Sequence, residues 1–141
     1  MDSQITLEGN IEDFKALYRK VRNKTINEFL NLEESDITDW TEWGFYFILT
    51  KAFNDDSSII WDKDIRITLG DYFKEYENYD VFLEYNSFLD IITIHSSLTS
   101  EYLNEDILYI AGKVSTNFSG TYSLISNGGN EYYTLEKGTV K

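Results

Sequence analysis

The chain offers chemistry twenty-five carboxylates, one imidazole (His95) and no thiol. Asp55, Asp56, Asp62 and Asp64 fall close enough together to present oxygens to Mg²⁺ or Ca²⁺, hard cations that take carboxylate ligands. Asp62 and Asp64, two apart, would share one face of a strand. The stretch "NDDSSIIWDKD" nonetheless lacks the alternating acids, central glycine and closing glutamate of a calcium loop. Aspartate also favours turns, and a solvated turn is the expected use of these four. A metal-dependent nuclease would set carboxylates beside a lysine. The Asp-x-Lys at Asp13-Phe14-Lys15 falls inside an amphipathic helical pattern, where such spacing arises by chance.

His95 could join Ser96, Ser97 or Ser115 in a triad only with a nucleophile elbow, and no G-x-S-x-G occurs. A strand histidine satisfied by a neighbour is expected instead. An acid and base pair of the glycosidase kind cannot be singled out among so many carboxylates. Gly128 and Gly129 precede no helix start and have no P-loop spacing. The expectation is a protein with no catalytic residue, no metal and no cofactor.

Residues 70–90, "GDYFKEYENYDVFLEYNSFLD", hold seven aromatics, six acids and one base, Lys74. As a helix, this stretch does not gather its rings: Phe73 and Tyr76 are neighbours while Tyr72 and Tyr79 spread to the sides. As a strand from Asp80, it sends Val81, Leu83 and Tyr85 to one face and Phe82, Glu84, Asn86 and Phe88 to the other. Neither pattern buries all seven rings, so tyrosine must stand exposed beside acid. Protein interfaces favour that arrangement, because tyrosine gives a large rigid contact and its face receives arginine.

The net charge of −13 is unevenly placed. Residues 1–35 carry −2, residues 36–110 carry −12 and residues 111–141 carry +1. Such a field repels phosphate backbones and anionic bilayers, which excludes nucleic acid and membrane as expected partners, and attracts a basic protein. The expected function is an acidic inhibitor of immunity type that occludes a basic protein partner, a toxin or defence nuclease, with carboxylates standing where phosphates would lie. Its contact residues would be Asp62, Asp64, Asp71, Tyr72, Glu75, Tyr76, Glu77, Tyr79, Asp80 and Glu84. Two rivals are weighed beside it: a small-molecule-binding or enzymatic α+β domain whose rings line a pocket, and an assembly component that self-associates.

The elements that must position these groups are read from period and punctuation. The 141 residues suit one domain with an ample core, at 42% apolar and 16% aromatic. Absence of cysteine removes disulfides and thiolate metal sites. "MDSQITLEGN" has neither a basic start nor an apolar run, and no apolar stretch approaches ~20 residues, so a soluble cytoplasmic protein is expected. Asn10 caps a helix that continues uninterrupted to Asn31, with Ile11, Phe14, Leu17, Tyr18, Val21, Phe29 and Leu32 on one stripe. Lys15, Arg19 and Arg22 form a neighbouring basic strip, expected to be solvated.

Asp39 and Glu42 resemble a capping box, but the alternation of Trp43, Phe45, Phe47 and Leu49 favours a strand from Trp43 to Thr50. "SIIW" and "IRITL" read as strands paired about the turn "DKD". In "DVFLEYNSFLDIITIHS" the alternatives are one helix or two strands bent at Asn86–Ser87, with a strand favoured for its second half. "DILYIAGKVS" and "GTYSLIS" read as strands joined by "TNFSG", and Asn127-Gly128-Gly129 marks a hairpin. The expected fold class is α+β, an N-terminal amphipathic helix packed on a mostly antiparallel β-sheet in a single domain over 1–141.

Overall fold

A computed structural model describes residues 2–23, 44–54, 59–98, 104–126 and 129–141. They form an α+β fold with seven strands in one antiparallel sheet. In chain order the elements are β1 (Asp2–Gly9), α1 (Ile11–Asn23), α2 (Gly44–Phe53), β2 (Ile65–Thr68), β3 (Val81–Asn86), β4 (Ile91–Ser96), α3 (Asn104–Val114), β5 (Ser119–Ser126), β6 (Gly129–Glu136) and β7 (Thr139–Val140). The strand order is β2-β3-β4-β1-β5-β6-β7, so the first strand lies at the centre.

β1 pairs with β4 on one side (Leu7 opposite Ile94) and with β5 on the other (Ile5 opposite Tyr122). Ile5 and Leu7 are fully buried, while Gln4 and Glu8 face outward. The alternation that makes this a strand was visible in "QITLE". The inward positions of the other strands, among them Leu83, Ile92, Ile94, Tyr122 and Leu135, belong to the same core. Helices α2 and α3 pack on the sheet, and α1 contacts both of them and β4.

Asn10 caps α1 as its residue type predicts. Its side chain accepts from the Asp13 N–H at 2.8 Å, and the Asp13 carboxylate accepts from the Asn10 N–H at 3.3 Å. This reciprocal pair satisfies two of the donors that a helix start leaves orphaned. Phe14, Leu17, Tyr18 and Val21 are buried. Phe29, Leu32, and the Asp39–Glu42 cap lie outside the described residues.

The expected strand over Trp43–Thr50 is a helix. Phe45, Ile48, Leu49, Ala52 and Phe53 are buried at helical spacing, whereas Phe47, which alternation would have put inside, is half-buried. Its first turn lies tight against the sheet: a Cβ on Gly44 would come within 2.9 Å of Val81 and 3.1 Å of Ser96.

The reading of "DILYIAGKVS" as a strand is also corrected. Residues 104–114 are helical, with Ile107, Leu108 and Ala111 buried together. The missed signal was Glu105 and Asp106 at the start of the segment, two anions where a helix dipole favours them. Of the expected strand "SIIW", Ile59–Trp61 form none, since Trp61 opens a turn, and Ser58 lies outside the described residues; β2 pairs with β3 instead, Arg66 facing Glu84.

The two-strand reading of residues 80–96 holds. β3 and β4 form a hairpin that buries Val81, Leu83 and Tyr85 and leaves Glu84 and Asn86 exposed. β5 and β6 pair up to Ser126 and Gly129, so they form the expected hairpin, while its turn lies outside the described residues. The second hairpin, β6–β7, turns through Lys137 and Gly138, both at positive φ.

Aromatic contacts tie the layers together. Phe14 stacks on Phe53 at 6.0 Å between ring centres and meets Phe118 edge-on at 5.0 Å. Phe53 stacks on Trp61 at 5.3 Å, and Trp61 meets Tyr85 of β3 edge-on at 5.2 Å. Such pairs contribute ~0.5–1.5 kcal/mol each beyond the area they bury. Phe14 sits inside this chain, so Phe14→Ala should lower stability by about 3–5 kcal/mol. Urea denaturation would show this as a lower midpoint at unchanged m-value; a loss below ~1 kcal/mol would mean that the ring is not a core member.

Candidate interaction surface

Residues 69–80, which join β2 to β3, are neither helix nor strand. They fold as two 3-10 turns, Leu69–Asp71 and Lys74–Tyr76. Thr68 and Asp71 start the first turn with a capping box: the Asp71 carboxylate accepts from the Thr68 N–H at 2.8 Å, and the Thr68 hydroxyl accepts from the Asp71 N–H at 3.2 Å. Backbone N–H groups of Tyr72, Phe73, Tyr76, Glu77 and Tyr79 then bond to carbonyls three or four residues back. The turns fold back so closely that a Cβ on Gly70 would stand 2.6 Å from the Glu77 Cα, which only glycine avoids.

One ring of α2, Phe47, braces this segment. Phe47 meets Tyr72 edge-on at 5.4 Å and Phe73 at 5.1 Å. The series continues through Tyr76, 6.4 Å from Phe73, to Tyr79, 5.5 Å from Tyr76. Lys51 lies 5.4 Å from the centres of both the Phe47 and Tyr72 rings. Tyr72 and Tyr79 are left 43% and 47% exposed, whereas Tyr76 is half-buried and serves as their support. Partial burial, aided by the neighbouring Asp71 charge, raises the Tyr72 pKa, so its phenol stays a neutral donor.

The expected contact residues thus divide. Asp71, Tyr72, Glu75, Tyr76, Glu77, Tyr79 and Asp80 come together on the β2–β3 connection. Asp62 and Asp64 lie instead in the turn before β2, beside the β3–β4 hairpin, and Asp64 accepts from the backbone and hydroxyl of Ser87 at 2.9 and 3.1 Å. Glu84 sits mid-strand, paired with Arg66 across the strands. That pair is exposed, so it contributes little to stability, but it offsets one negative charge of the surface. Sequence reasoning missed Phe47, because it was assigned to a strand over Trp43–Thr50, and Lys51, which lies just beyond that strand.

All eight carboxylates between residues 62 and 90 are exposed, against three bases, Lys63, Arg66 and Lys74. The sheet end formed by β5, β6 and β7 carries Lys113, Lys137 and Lys141 nearby against Glu131 and Glu136. Among the described residues, the stretch 62–90 is therefore strongly net negative. Asp55 and Asp56 lie outside the described residues, and among the described residues no group of three or more His, Asp or Glu could hold a metal ion. No described helix is long and apolar enough to cross a membrane.

Among the described residues, three concavities lie apart from residues 69–80. An open groove of about 320 Å³ is lined by Lys15, Tyr18, Arg19, Phe53 and Trp61, among others. Two shallower ones, of about 270 and 360 Å³, flank the β3–β4 hairpin. None of the three is lined by Tyr72, Tyr76 or Tyr79. No protein family, curated protein or solved structure matches the chain.

His95 is a strand residue with neighbours. It lies opposite Thr6 and Phe82, its Nδ1 is 2.7 Å from the Thr6 hydroxyl, and its ring stacks on Phe82 at 5.3 Å. Arg66 covers the Phe82 ring at 4.4 Å. Burial lowers the imidazole pKa, while the Asp80 charge opposes the shift. The unfolded chain therefore binds the proton more readily. Its contribution is fully present above ~6.5, the unfolded value, and is lost as the pH falls from there towards the lower folded value. His95→Gln should flatten this part of the stability curve. Urea midpoints at pH 5.5 and 7.5 would show a smaller difference in the variant; an equal one would mean that His95 does not titrate as its surroundings require.

Proposed function

We propose that this protein is a cytoplasmic inhibitor of immunity type that binds a basic protein, a nuclease in the first instance, and covers its substrate cleft without turnover. The observation that carries the reading is the exposure of all eight carboxylates at 62–90 with Tyr72 and Tyr79 projecting among them. Carboxylates are chemically suited to the place of phosphates in a cationic cleft. The two phenols supply the rigid contact area that charge alone lacks, since affinity concentrates in a few aromatic anchors fringed by polar groups.

The geometry supports this reading over a ligand-binding one. The three tyrosines stand on a braced projecting segment and line none of the grooves described above. Preorganisation also favours it: the capping box and backbone bonds of 68–79 fix the rings before any partner arrives, so little conformational entropy remains to be lost. Opposite fields would steer the encounter, raising association rates towards ~10⁸–10⁹ M⁻¹s⁻¹ at low salt.

Exchanging Asp71, Glu75, Glu77 and Asp80 for Asn and Gln should slow association with the basic protein recovered from the native host by about tenfold or more at low salt. It should also flatten the salt dependence. Tyr79→Ala should act mainly on dissociation and cost more than ~1 kcal/mol. Stopped-flow measurements over a salt series separate the two effects. Rates and salt slopes like those of the wild type would remove the acidic surface from the interface.

A further inference from the structure

The β3–β4 hairpin ends in an apolar pair that the fold does not use. Phe88 is 93% exposed and Leu89 57%, at the tip of a turn between Asn86 and Ile91. Single exposed apolar residues are ordinary on protein surfaces. This pair is unusual in being held rigidly outward. The Asn86 side chain accepts from the Leu89 N–H at 3.0 Å, and Asp64, 23 residues earlier in the chain than Ser87, receives both donors of that residue. Asp90, at φ 52°, accepts from the Tyr85 hydroxyl at 3.2 Å, and Tyr85 is itself wedged against Trp61. Four hydrogen bonds thus fix a turn whose two largest side chains touch solvent.

We propose that Phe88 and Leu89 form a second docking point, inserted into an apolar pocket rimmed by lysine or arginine on the same basic protein. This rests on the reading given above. Charge decides among possible occupants. Asp64 and Asp90 are exposed and bonded into the turn, while Arg66 of β2 is already paired with Glu84. An acidic fringe favours a cationic rim, opposes the anionic headgroups that a membrane-inserting tip would meet, and opposes a second copy carrying the same charges. Position agrees as well. Tyr79 precedes β3 and Phe88 follows it, and a six-residue strand spans roughly 20 Å, so one interface of ordinary size reaches both.

The test places p-benzoylphenylalanine at position 88 or at position 79 of the full-length protein in cells of the native host. Irradiation follows, with identification of each adduct by mass spectrometry. The recovered protein is then purified and its Kd measured against the wild type and Phe88→Ala. Both positions should crosslink one protein of basic isoelectric point. Phe88→Ala should weaken binding by about 30-fold or more, as truncation of an aromatic anchor does, with an unchanged melting temperature because the ring is solvent-exposed. A basic protein caught from position 79 alone, or a Kd within about threefold of the wild type, would overturn the docking point and leave the inhibitor reading standing. Adducts from position 88 only with lipid or with a second copy would overturn it too. No basic protein from either position would overturn both readings.

Discussion

Helix α2 carries rings in two directions, and the molecule depends on that division. Phe53 faces inward, between Phe14 of α1 and Trp61. Phe47 faces the edge of the fold, under Tyr72 and Phe73. A strand would have sent alternate residues to opposite faces of one sheet, and could not have supported both clusters from a layer above it. As a helix set close to β3 and β4 at Gly44, the same ten residues close the core and buttress the projecting turns. Loss of the inner cluster would threaten the fold, whereas loss of the outer one would release the tyrosines.

What could be read from the sequence follows from how local each signal is. The α1 cap needed only Asn10 and Asp13, and the β5–β6 hairpin only its glycines. β3 and β4 were legible because period-2 burial is written into "VFLEY". The failures came where apolar residues crowd. In "WGFYFILTKAF" nearly every position is apolar, so alternation and helical spacing fit equally well, and tertiary contact decides. "DILYIAGKVS" misled through its β-branched residues, although the polar, acidic start at 104–106 favoured a helix.

The candidate surface was legible as composition but not as shape. Exposed tyrosine beside acid was expected for residues 70–90, and Tyr72, Tyr79 and Phe88 are the exposed rings there. That Tyr76 would support and Asp71 would cap could not be read from the sequence, because both roles depend on two 3-10 turns packed against each other at Gly70 and Glu77. Asp64 is a similar case: its ordering of the Ser87 turn joins residues far apart in sequence. Such long-range side-chain bonds leave no local pattern.

The same charges act with opposite sign in the free protein and in the proposed complex. Asp71, Glu75, Glu77 and Asp80 lie within ten residues of chain, and their mutual repulsion favours a more open segment. The fold resists it with the Thr68 capping box, the backbone bonds through Tyr79, Lys74 in the second turn and Lys51 at the bracing rings. A cationic partner would remove the repulsion on contact, whereas a neutral partner would leave it in place and a polyanion would increase it. In the proposed complex, preference by charge would therefore draw on repulsion that the isolated protein already carries. In that complex the tyrosines would set how long a correctly charged partner remains, because ring burial acts on dissociation and charge acts on encounter. A surface of acids without rings would attract many basic proteins and retain none for long, while rings without acids would form an adhesive patch with no preference.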